Sequence, residues 1–205
     1  MSTPRPPVVA LDAPDALEQA SRVLAAGGTV VLPTDTVYGV AALAELPRST
    51  EKLFALKDRG ADHPVAVLVA NVEQALELVE APAEDPARWM ATLWPGPLTL
   101  VLPRSARARD LALGGEPASI GVRCPDHDFI RALATELGPL ATTSANRSGS
   151  PTPVDAHEAA ASLVGEVDLV VDGGPAGTVA STVVDAAGAD WSILREGAID
   201  ADRLR

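Results

Sequence analysis

Short apolar runs alternate with longer segments of helical periodicity along most of the chain, and this alternation constrains the fold more than any other sequence feature. The main apolar runs lie at residues 29–32, 65–69, 98–102, 119–123 and 167–171. Runs of this length are typical of buried strands. Because strands that alternate with helices build layered folds, the sequence predicts an α/β (mixed α+β) fold in which helices flank a β-sheet.

Several predicted helices follow a residue that can cap a helix N-terminus. Such side chains accept a hydrogen bond from a free N–H group of the first turn. The predicted caps are Asp12, Ser49, Asn71, Asp126 and Asp155. Further strands are predicted at residues 140–143, 181–185 and 191–194.

The length and composition indicate one folded domain. The chain has 205 residues, of which 47% are hydrophobic and 21% charged, as in ordinary globular proteins. Residues 1–12 look like a flexible N-terminal tail, and residues 13–205 are expected to form a single domain.

The formal net charge of -12 bears on function. A protein that grips a nucleic-acid backbone needs a basic field, and this chain has the opposite one. No strong direct binding to nucleic acid is therefore expected.

Cysteine and histidine usage predicts a cytoplasmic protein without a metal site. The one cysteine, Cys124, cannot form an internal disulfide, which fits a reducing compartment. The three histidines are scattered without metal-ligand spacing. No signal peptide and no apolar run of membrane-spanning length is found, so no membrane association is predicted.

Hydroxyl groups crowd residues 33–39, directly after the first predicted buried strand. Side chains alternate sides along an extended segment, so Thr34, Thr36 and Tyr38 would share one face, with Asp35 on the other. Three hydroxyls at a strand end can form the polar wall of a pocket. A β-turn with internally satisfied hydroxyls explains the segment without any ligand and remains the alternative.

Lys57 and Arg59 lie at the predicted end of a helix. In a continuing helix they would point about 200° apart, but Gly60 indicates that the helix stops near Lys57. Both cations could then turn toward one anion, and a point charge beside a guanidinium fork suits a polyphosphate. Compensation of the helix dipole by C-terminal cations is the alternative interpretation.

A third polar cluster follows the predicted strand at residues 140–143. Ser144 and Asn146 are two residues apart, so both side chains can face one site. Small hydroxyl and amide groups at a strand end often orient a ligand. An ordinary turn is again the alternative.

Three other segments carry weaker signals. Residues 104–109 contain three arginines and are typical of a solvated loop, with a phosphate-contacting patch as the alternative. Residues 172–177 are glycine-rich but match neither a P-loop nor a dinucleotide fingerprint. Cys124 follows Arg123, which can lower a thiol pKa. The residues alone therefore favour a small anionic ligand without naming it.

Taken in order, these segments resemble the YrdC/Sua5 family of threonylcarbamoyl-AMP synthases. Residues 27–39 are similar to the opening signature of the family. Lys57 and Arg59 match its Lys-x-Arg motif, and Ser144 and Asn146 match its Ser-x-Asn motif. Further matching blocks lie at residues 94–99, 122–123, 172–174, 181–185 and 194–197. Each block is short, but the ordered set covers nearly the whole chain and is specific.

The resemblance implies a twisted mixed sheet, flanked by helices, around a large concave cavity, in the short form without the C-terminal Sua5 extension. It also implies ATP-dependent synthesis of threonylcarbamoyl-AMP from L-threonine and bicarbonate, with release of pyrophosphate. That reaction is the first step of threonylcarbamoyladenosine modification of tRNA, and the product would pass to a tRNA threonylcarbamoyl transferase complex. Mg²⁺ is expected to enter with ATP.

The resemblance also implies residue roles. Lys57 and Arg59 would hold the triphosphate and act in catalysis. The other implied ATP-binding residues are His63, Ser119, Ser144, Asn146, Thr152 and Arg195. The implied threonine-binding residues are Thr34, Thr36, Arg123, Thr142, Ser181 and Thr182. A guanidinium such as that of Arg123 can pair with the threonine carboxylate in bidentate fashion.

One departure from the family pattern affects the amino-acid site. Leu68 stands where many relatives have a threonine-contacting histidine, so it bears on amino-acid selectivity. Two other functions stay open from the sequence. An RNA-binding module would bind without ATP and lose affinity steeply with salt, and a paralogue would activate another carbamoyl substrate.

Overall fold

The computed structural model describes residues 6–58, 60, 63–147 and 149–205. Within these residues the strands are β1 Val8–Ala10, β2 Val30–Leu32, β3 Gly39–Leu43, β4 Ala66–Leu68, β5 Leu98–Pro103, β6 Ser119–Arg123, β7 Leu140–Ser144, β8 Leu169–Asp172, β9 Thr182–Asp185 and β10 Ser192–Arg195. The helices are α1 Ala16–Ala25, α2 Pro47–Leu56, α3 Val72–Leu78, α4 Glu84–Leu93, α5 Asp128–Leu137 and α6 Ala156–Ser162. Short 3-10 turns follow at Ala106–Ala108 and Ala201–Leu204. No helix in this part of the chain combines the length and apolar character needed to cross a bilayer.

All the described strands join one mixed sheet in the order β1-β8-β2-β3-β7-β4-β6-β5-β9-β10. The pairs β1–β8, β2–β8, β4–β6 and β5–β9 are parallel. The pairs β2–β3, β3–β7, β4–β7, β5–β6 and β9–β10 are antiparallel. The predicted mixed α/β fold is therefore confirmed.

The hydrophobic core consists of two clusters of buried side chains. One packs α1 and α5 against the sheet through Leu24 and Ile130, which have no exposed surface. The other is larger and includes Trp89 and Leu100. Because full burial of one such side chain contributes roughly 1.5–3 kcal/mol, the two clusters together fix the sheet as a rigid platform.

Two of the predicted helix caps are confirmed. Asn71 accepts a hydrogen bond from Gln74 N, and Asp155 accepts one from Glu158 N. The caps predicted at Asp12, Ser49 and Asp126 are wrong. Helices α1, α2 and α5 begin at Ala16, Pro47 and Asp128, so the residues at their N-cap positions are Asp15, Leu46 and His127.

Two strands were not predicted. Val8–Ala10 pairs in parallel with β8, so the expected flexible tail is wrong for these residues. Gly39–Leu43 forms β3, which pairs with both β2 and β7 near the middle of the sheet. Its small side chains give a weak strand signal, although they suit a central position with neighbours on both sides.

Candidate active site

A cavity of about 530 Å³ opens on one face of the sheet. Alternate side chains of neighbouring strands line it, including Thr99 and Val101 of β5 and Gly121 and Arg123 of β6. The intervening residues of β5, such as Leu100, point into the core on the other face. A cavity of this size holds a ligand as large as a nucleotide.

The guanidinium of Arg123 is fixed by hydrogen bonds to three partners. Nε donates to Gly96 O at 3.0 Å, Nη1 to Thr36 Oγ1 at 3.0 Å and Nη2 to Asp35 Oδ1 at 2.5 Å. The Arg123 and Asp35 side chains are only 7% and 11% exposed. A guanidinium has five N–H donors, so Arg123 keeps donors for a ligand in the cavity. A pre-organised fork of this kind suits a carboxylate.

The hydroxyl cluster after β2 forms a tight turn that also lines the cavity. Thr34 Oγ1 donates to Val37 O at 2.7 Å and accepts from the Thr36 and Val37 N–H groups at 3.0 and 3.1 Å. It also contacts Thr36 Oγ1 at 2.9 Å. The turn interpretation and the pocket-wall interpretation thus both describe Thr34 and Thr36.

Tyr38 does not share the face of these threonines, and that prediction is wrong. Its hydroxyl donates to Gly174 O at 2.7 Å and accepts from Gly173 N at 3.1 Å, and the side chain is fully buried. The reason is the turn at Thr34, which interrupts the extended alternation before Tyr38. Burial raises the pKa of Tyr38, so its hydroxyl stays a proton donor.

A second guanidinium enters the cavity from β10. Arg195 Nε and Nη2 donate to Ser181 O at 3.1 and 2.9 Å, and Nη2 also contacts Ser181 Oγ at 3.0 Å. Ser181 Oγ in turn lies 2.9 Å from Thr99 Oγ1. Burial and then the positive charge of Arg123 lower the pKa of Arg195. Arg123 and Arg195 therefore line the same cavity and are close enough for their charges to interact.

Lys57 of the Lys-x-Arg motif contacts the Ser-x-Asn motif at the end of β7. α2 ends at Leu56, and Asp58 takes a left-handed φ of 49°, so the helix stops where Gly60 predicted. Lys57 Nζ donates to Ser144 O at 2.7 Å and contacts Ser144 Oγ at 3.3 Å and Asn146 Oδ1 at 3.2 Å. Lys57 is only 3% exposed. Lys57 thus holds the Ser144 segment in place without itself lining the cavity.

Most of the predicted site residues lie in the cavity wall. The lining includes Thr34, Thr36, Ser119, Arg123, Thr142, Ser144, Ser181 and Arg195. Asn146 is tied to this wall through Lys57 and Ser144. His63 is exposed and precedes Pro64, which lines the cavity, whereas Thr152 is partly exposed and is not in the lining. Arg59 lies outside the described residues.

Thr182 faces away from the cavity, so its assignment to the threonine site is wrong. Its hydroxyl donates to Ile199 O at 2.8 Å and accepts from Ile199 N at 2.9 Å, and the residue is fully buried. Because successive strand residues point to opposite faces, Ser181 takes the cavity side and Thr182 the core side.

Three residues that the sequence did not assign to the site belong to it or support it. Thr99 lines the cavity and contacts Ser181, as the two-residue period of β5 would have indicated. Asp35 orients Arg123 from outside the cavity lining. Arg104 was expected in a solvated loop, but it is only 5% exposed and lines the cavity.

Cys124 does not act as a nucleophile in this arrangement. The residue is buried, and burial raises the pKa of its thiol above the ordinary value. Among the residues that the structure describes, no group of three or more His, Cys, Asp or Glu is placed to hold a metal ion. The polar groups that line the cavity are three arginines, the carboxylates of Glu116 and Asp185, and several hydroxyl groups.

These features define an α/β domain with a polar, arginine-lined cavity, and the Lys57 cluster lies beside the cavity at the end of β7. The family model Sua5/YciO/YrdC, described as "Telomere recombination", matches residues 22–197. The chain belongs to this family, which confirms the resemblance inferred from the motifs.

Curated relatives and solved structures agree with this membership. The chain is 37% identical over 191 residues to the threonylcarbamoyl-AMP synthase of Bacillus subtilis, covering 92% of this chain and 55% of the relative. It is 38% identical over 180 residues to a putative threonylcarbamoyl-AMP synthase of Mycobacterium tuberculosis H37Rv, covering 87% of this chain and 82% of the relative. The chain thus spans about half the length of the Bacillus protein and most of the mycobacterial one.

Two solved structures share the fold closely. Pyrococcus abyssi Sua5 complexed with L-threonine matches with a TM-score of 0.87 at 33% identity, covering 97% of this chain and 59% of that chain. E. coli YciO matches with a TM-score of 0.86 at 26% identity, with both chains fully covered.

Proposed function

We propose that the protein is an L-threonylcarbamoyladenylate synthase, a nucleotidyltransferase that joins L-threonine, bicarbonate and ATP into threonylcarbamoyl-AMP and releases pyrophosphate. The observation that carries this proposal is that one cavity wall contains two recognition groups. Arg123 offers a fixed guanidinium for a carboxylate, and Ser144, which is hydrogen-bonded to Lys57 and Asn146, lines the same cavity at the end of β7. The names of the B. subtilis and M. tuberculosis relatives support it.

L-Threonine binds at the Arg123 end of the cavity. The threonine carboxylate accepts hydrogen bonds from the remaining N–H donors of Arg123. Hydroxyls of Thr34, Thr36, Thr142 and Ser181 surround the amine and the carbamate formed on it. The crystal structure of P. abyssi Sua5 in complex with L-threonine supports threonine as the amino-acid substrate.

ATP binds toward Ser119 and Ser144. Lys57, Arg59, Asn146 and Arg195 complete this part of the site by their match to the family motifs, with His63 and Thr152 at its periphery. Mg²⁺ enters as part of the substrate, bound to the ATP phosphates.

The reaction then proceeds in two balanced steps. Bicarbonate takes up a proton and loses water to give CO2. The unprotonated threonine amine adds to the carbon of CO2 and releases a proton, forming the N–C bond of a carbamate. A carbamate oxygen attacks the α-phosphorus of ATP, and the bond to the bridging oxygen breaks as pyrophosphate leaves. Negative charge grows on the phosphates, so fixed cations such as Arg195 supply most of the stabilisation.

The product has two recipients in principle, water and a downstream enzyme. A mixed anhydride of a carbamate and AMP hydrolyses readily, so transfer to a tRNA threonylcarbamoyl transferase complex in the cytoplasm completes the function. The acidic net charge of -12 disfavours direct capture of the tRNA by this chain.

The proposal is tested by measuring pyrophosphate release from ATP. Release is expected only when L-threonine and bicarbonate are both present, and L-serine in place of threonine reports the selectivity of the site. Leu68 lines the cavity and is 4% exposed, so the serine rate measures how an apolar wall at this position discriminates the threonine methyl group. Pyrophosphate release by folded protein at the same rate with and without the amino acid would contradict the proposal.

A further inference from the structure

Thr99 is a buried hydroxyl residue in the cavity wall. It belongs to β5, is 5% exposed and lines the cavity on the same face as Val101. Its hydroxyl has one hydrogen-bond partner among the described residues, Ser181 Oγ at 2.9 Å. Since a hydroxyl offers one donor and two acceptor lone pairs, this contact leaves most of the hydrogen-bonding capacity of Thr99 unused. A buried polar group in this state indicates a role in the site.

The hydroxyl of Ser181 lies between Thr99 and a cation. Arg195 Nη2 donates to Ser181 Oγ at 3.0 Å, and Arg195 Nε and Nη2 donate to Ser181 O at 3.1 and 2.9 Å. A guanidinium accepts no hydrogen bond, so the contact at Oγ occupies one lone pair of Ser181. The O–H group of Ser181 can therefore point toward Thr99 or into the cavity.

The hydroxyl hydrogens of Thr99 and Ser181 limit the chemistry of the ligand. The two residues carry two O–H hydrogens, and their mutual contact uses one of them, whichever residue donates. Within the described part of the chain, neither hydroxyl has another acceptor at hydrogen-bonding distance. The pair therefore presents one O–H donor to the cavity, and the ligand must contribute an acceptor atom there.

The charge of Arg195 decides which hydroxyl donates to that acceptor. A hydroxyl that accepts a hydrogen bond from a guanidinium is polarised, so Ser181 becomes the stronger donor of the pair. Its strongest hydrogen bond forms with a negatively charged oxygen. When an anion is bound, Ser181 therefore donates to the anion and Thr99 donates to Ser181, which fills both lone pairs of Ser181 Oγ.

A second hydroxyl pair in the cavity wall differs from the first in one respect. Thr36 Oγ1 accepts from Arg123 Nη1 at 3.0 Å and lies 2.9 Å from Thr34 Oγ1. Thr34 is already saturated, because it donates to a carbonyl of its own turn and accepts from two backbone N–H groups. Thr34 thus stabilises the turn, whereas Thr99 has no partner besides Ser181 in the described chain.

The two carboxylates that line the cavity lie away from the Thr99–Ser181 pair. Asp185 follows Ser181 by four residues along β9, which is about 13 Å in an extended strand. Glu116 precedes Ser119 of β6, which pairs with the far end of β5. No described carboxylate hydrogen-bonds to Ser181 or to its two hydroxyl and guanidinium partners. The acceptor that the pair requires therefore comes from the ligand.

We propose that Thr99 is a positioning residue of the amino-acid site, which orients the Ser181 hydroxyl as a hydrogen-bond donor to a carboxyl-type oxygen of the ligand. The identity of that oxygen rests on the proposed function, which supplies two such groups, the carboxylate of L-threonine and the carbamate formed from bicarbonate. A protonated amine carries donors only, so the pair discriminates between the two ends of the amino acid.

The first part of the test is calorimetry with L-threonine on the full chain, without bicarbonate. Thr99→Val keeps the shape of the side chain but removes the hydroxyl, so Ser181 loses its second donor. A roughly three- to tenfold loss of threonine affinity, the range for one neutral hydrogen bond, would assign the oxygen to the threonine carboxylate. Thr99→Ser restores the hydroxyl and should recover most of the lost affinity.

The second part is the bicarbonate dependence of pyrophosphate release. If Thr99→Val binds L-threonine normally but needs roughly three- to tenfold more bicarbonate for half-maximal release, the oxygen belongs to the carbamate. The matched control is Thr29→Val, because Thr29 is 1% exposed, donates to Asp168 Oδ2 and lies outside the cavity lining. Thr29→Val should keep both values within about twofold of the unmodified protein.

A double-mutant cycle separates positioning from a merely structural role. Because Thr99 acts through Ser181, Thr99→Val should lower neither threonine affinity nor bicarbonate use any further in a Ser181→Ala background. Additive losses in the folded variants would overturn the proposal. So would unchanged threonine affinity together with an unchanged bicarbonate dependence in folded Thr99→Val.

Turnover by the unmodified protein distinguishes the role of Thr99 from the proposed function. Pyrophosphate release that requires threonine and bicarbonate, with identical behaviour of Thr99→Val, would contradict the role of Thr99 alone. Folded, unmodified protein that neither binds L-threonine nor releases pyrophosphate would contradict the proposed function, and the role of Thr99 with it.

Discussion

Asp35 and Arg123 form the least exposed ion pair among the described residues, with Asp35 Oδ1 2.5 Å from Arg123 Nη2. The second carboxylate oxygen, Asp35 Oδ2, is buried and has no hydrogen-bond partner in the described part of the chain. The charge of Asp35 is therefore committed to Arg123. Asp35 thereby holds the guanidinium of Arg123 in its position in the cavity wall.

Asp35→Ala should loosen the amino-acid site more than the nucleotide site. Removal of one partner of a buried ion pair leaves the other charge uncompensated, so unfolding free energy should fall by about 3 kcal/mol. Arg123 also loses an orienting contact, so threonine affinity should fall roughly tenfold. Calorimetry with L-threonine and with ATP measures both affinities.

The matched controls for this prediction are Asp35→Asn and Asp190→Ala. The amide of Asp35→Asn retains an acceptor for Arg123 and should preserve more threonine affinity. Asp190 is exposed near the β9–β10 connection, and its replacement should change neither affinity. Threonine binding by Asp35→Ala at full strength would show that Arg123 does not depend on its carboxylate partner.

Gly197 is required by the backbone that carries Ser181. A Cβ at Gly197 would lie 2.5 Å from Ala180 O, Ser181 C and Thr182 N. Gly197→Ala must therefore shift the Ser181 segment, which Arg195 contacts, and a shift of this kind can reduce turnover roughly 100-fold. Steady-state pyrophosphate release measures the effect.

Gly188→Ala provides the comparison for Gly197→Ala in the same region. The nearest atom to a Cβ at Gly188 is Asp190 O at 3.8 Å, an ordinary contact distance. Turnover should stay unchanged in this variant. Equal turnover in Gly197→Ala and Gly188→Ala would show that the position of the Ser181 segment does not affect the reaction.

Lys57→Met should abolish ATP turnover by at least about 100-fold. The methionine fills a similar volume but leaves Ser144 and Asn146 without their donor, so the nucleotide end loses both a charge and its alignment. Lys52→Met is the control, since Lys52 is on the exposed side of the same helix and contacts Gly27 O. Ordinary turnover by folded Lys57→Met would remove Lys57 from the catalytic site.

His127 should make the fold less stable in acid. Burial lowers the pKa of His127 below its ordinary value of 6.5, more strongly than the neighbouring carboxylates Asp35, Asp128 and Asp126 raise it, and Arg131 lowers it further. The unfolded chain therefore binds a proton at higher pH than the folded one. The contribution of His127 to stability is present above pH 6.5 and is lost as pH falls from there through its folded pKa.

Urea unfolding at about pH 7 and about pH 5 measures this dependence. His127→Gln should flatten the decline of the unfolding free energy, because the titrating ring is gone. His157→Gln, which removes an exposed histidine, should leave the decline as it is. If the unfolding free energy of His127→Gln falls with pH as steeply as that of the unmodified protein, groups other than His127 cause the pH dependence.

Much of the fold follows from sequence period and chain breakers. β6 was predicted with its observed bounds, and the caps Asn71 and Asp155 were identified because their side-chain chemistry is local. β3 was missed because its small side chains give a weak local signal and one of its two partners, β7, is distant in sequence.

The site was predicted through motifs rather than through geometry. The motifs selected Lys57, Ser144 and Arg123, but they did not reveal that Lys57 contacts Ser144 directly across 87 residues of sequence. Thr182 was misassigned because the sequence does not show which of the two adjacent residues, Ser181 or Thr182, faces the cavity. Arg104 was expected in a solvated loop, with a phosphate-contacting patch as the alternative, because its burial depends on carbonyl groups of an irregular segment that no sequence period describes.

Synthesis of the adenylate itself is the most direct test of the proposed activity. The protein is incubated with ATP, Mg²⁺, L-threonine and 13C-labelled bicarbonate, and the products are resolved by mass spectrometry. The expected result is threonylcarbamoyl-AMP that carries the bicarbonate carbon, in equal amount to the pyrophosphate released, and its loss in Lys57→Met. Pyrophosphate formation without a labelled adduct, or no turnover by folded protein with all three substrates present, would contradict the assignment.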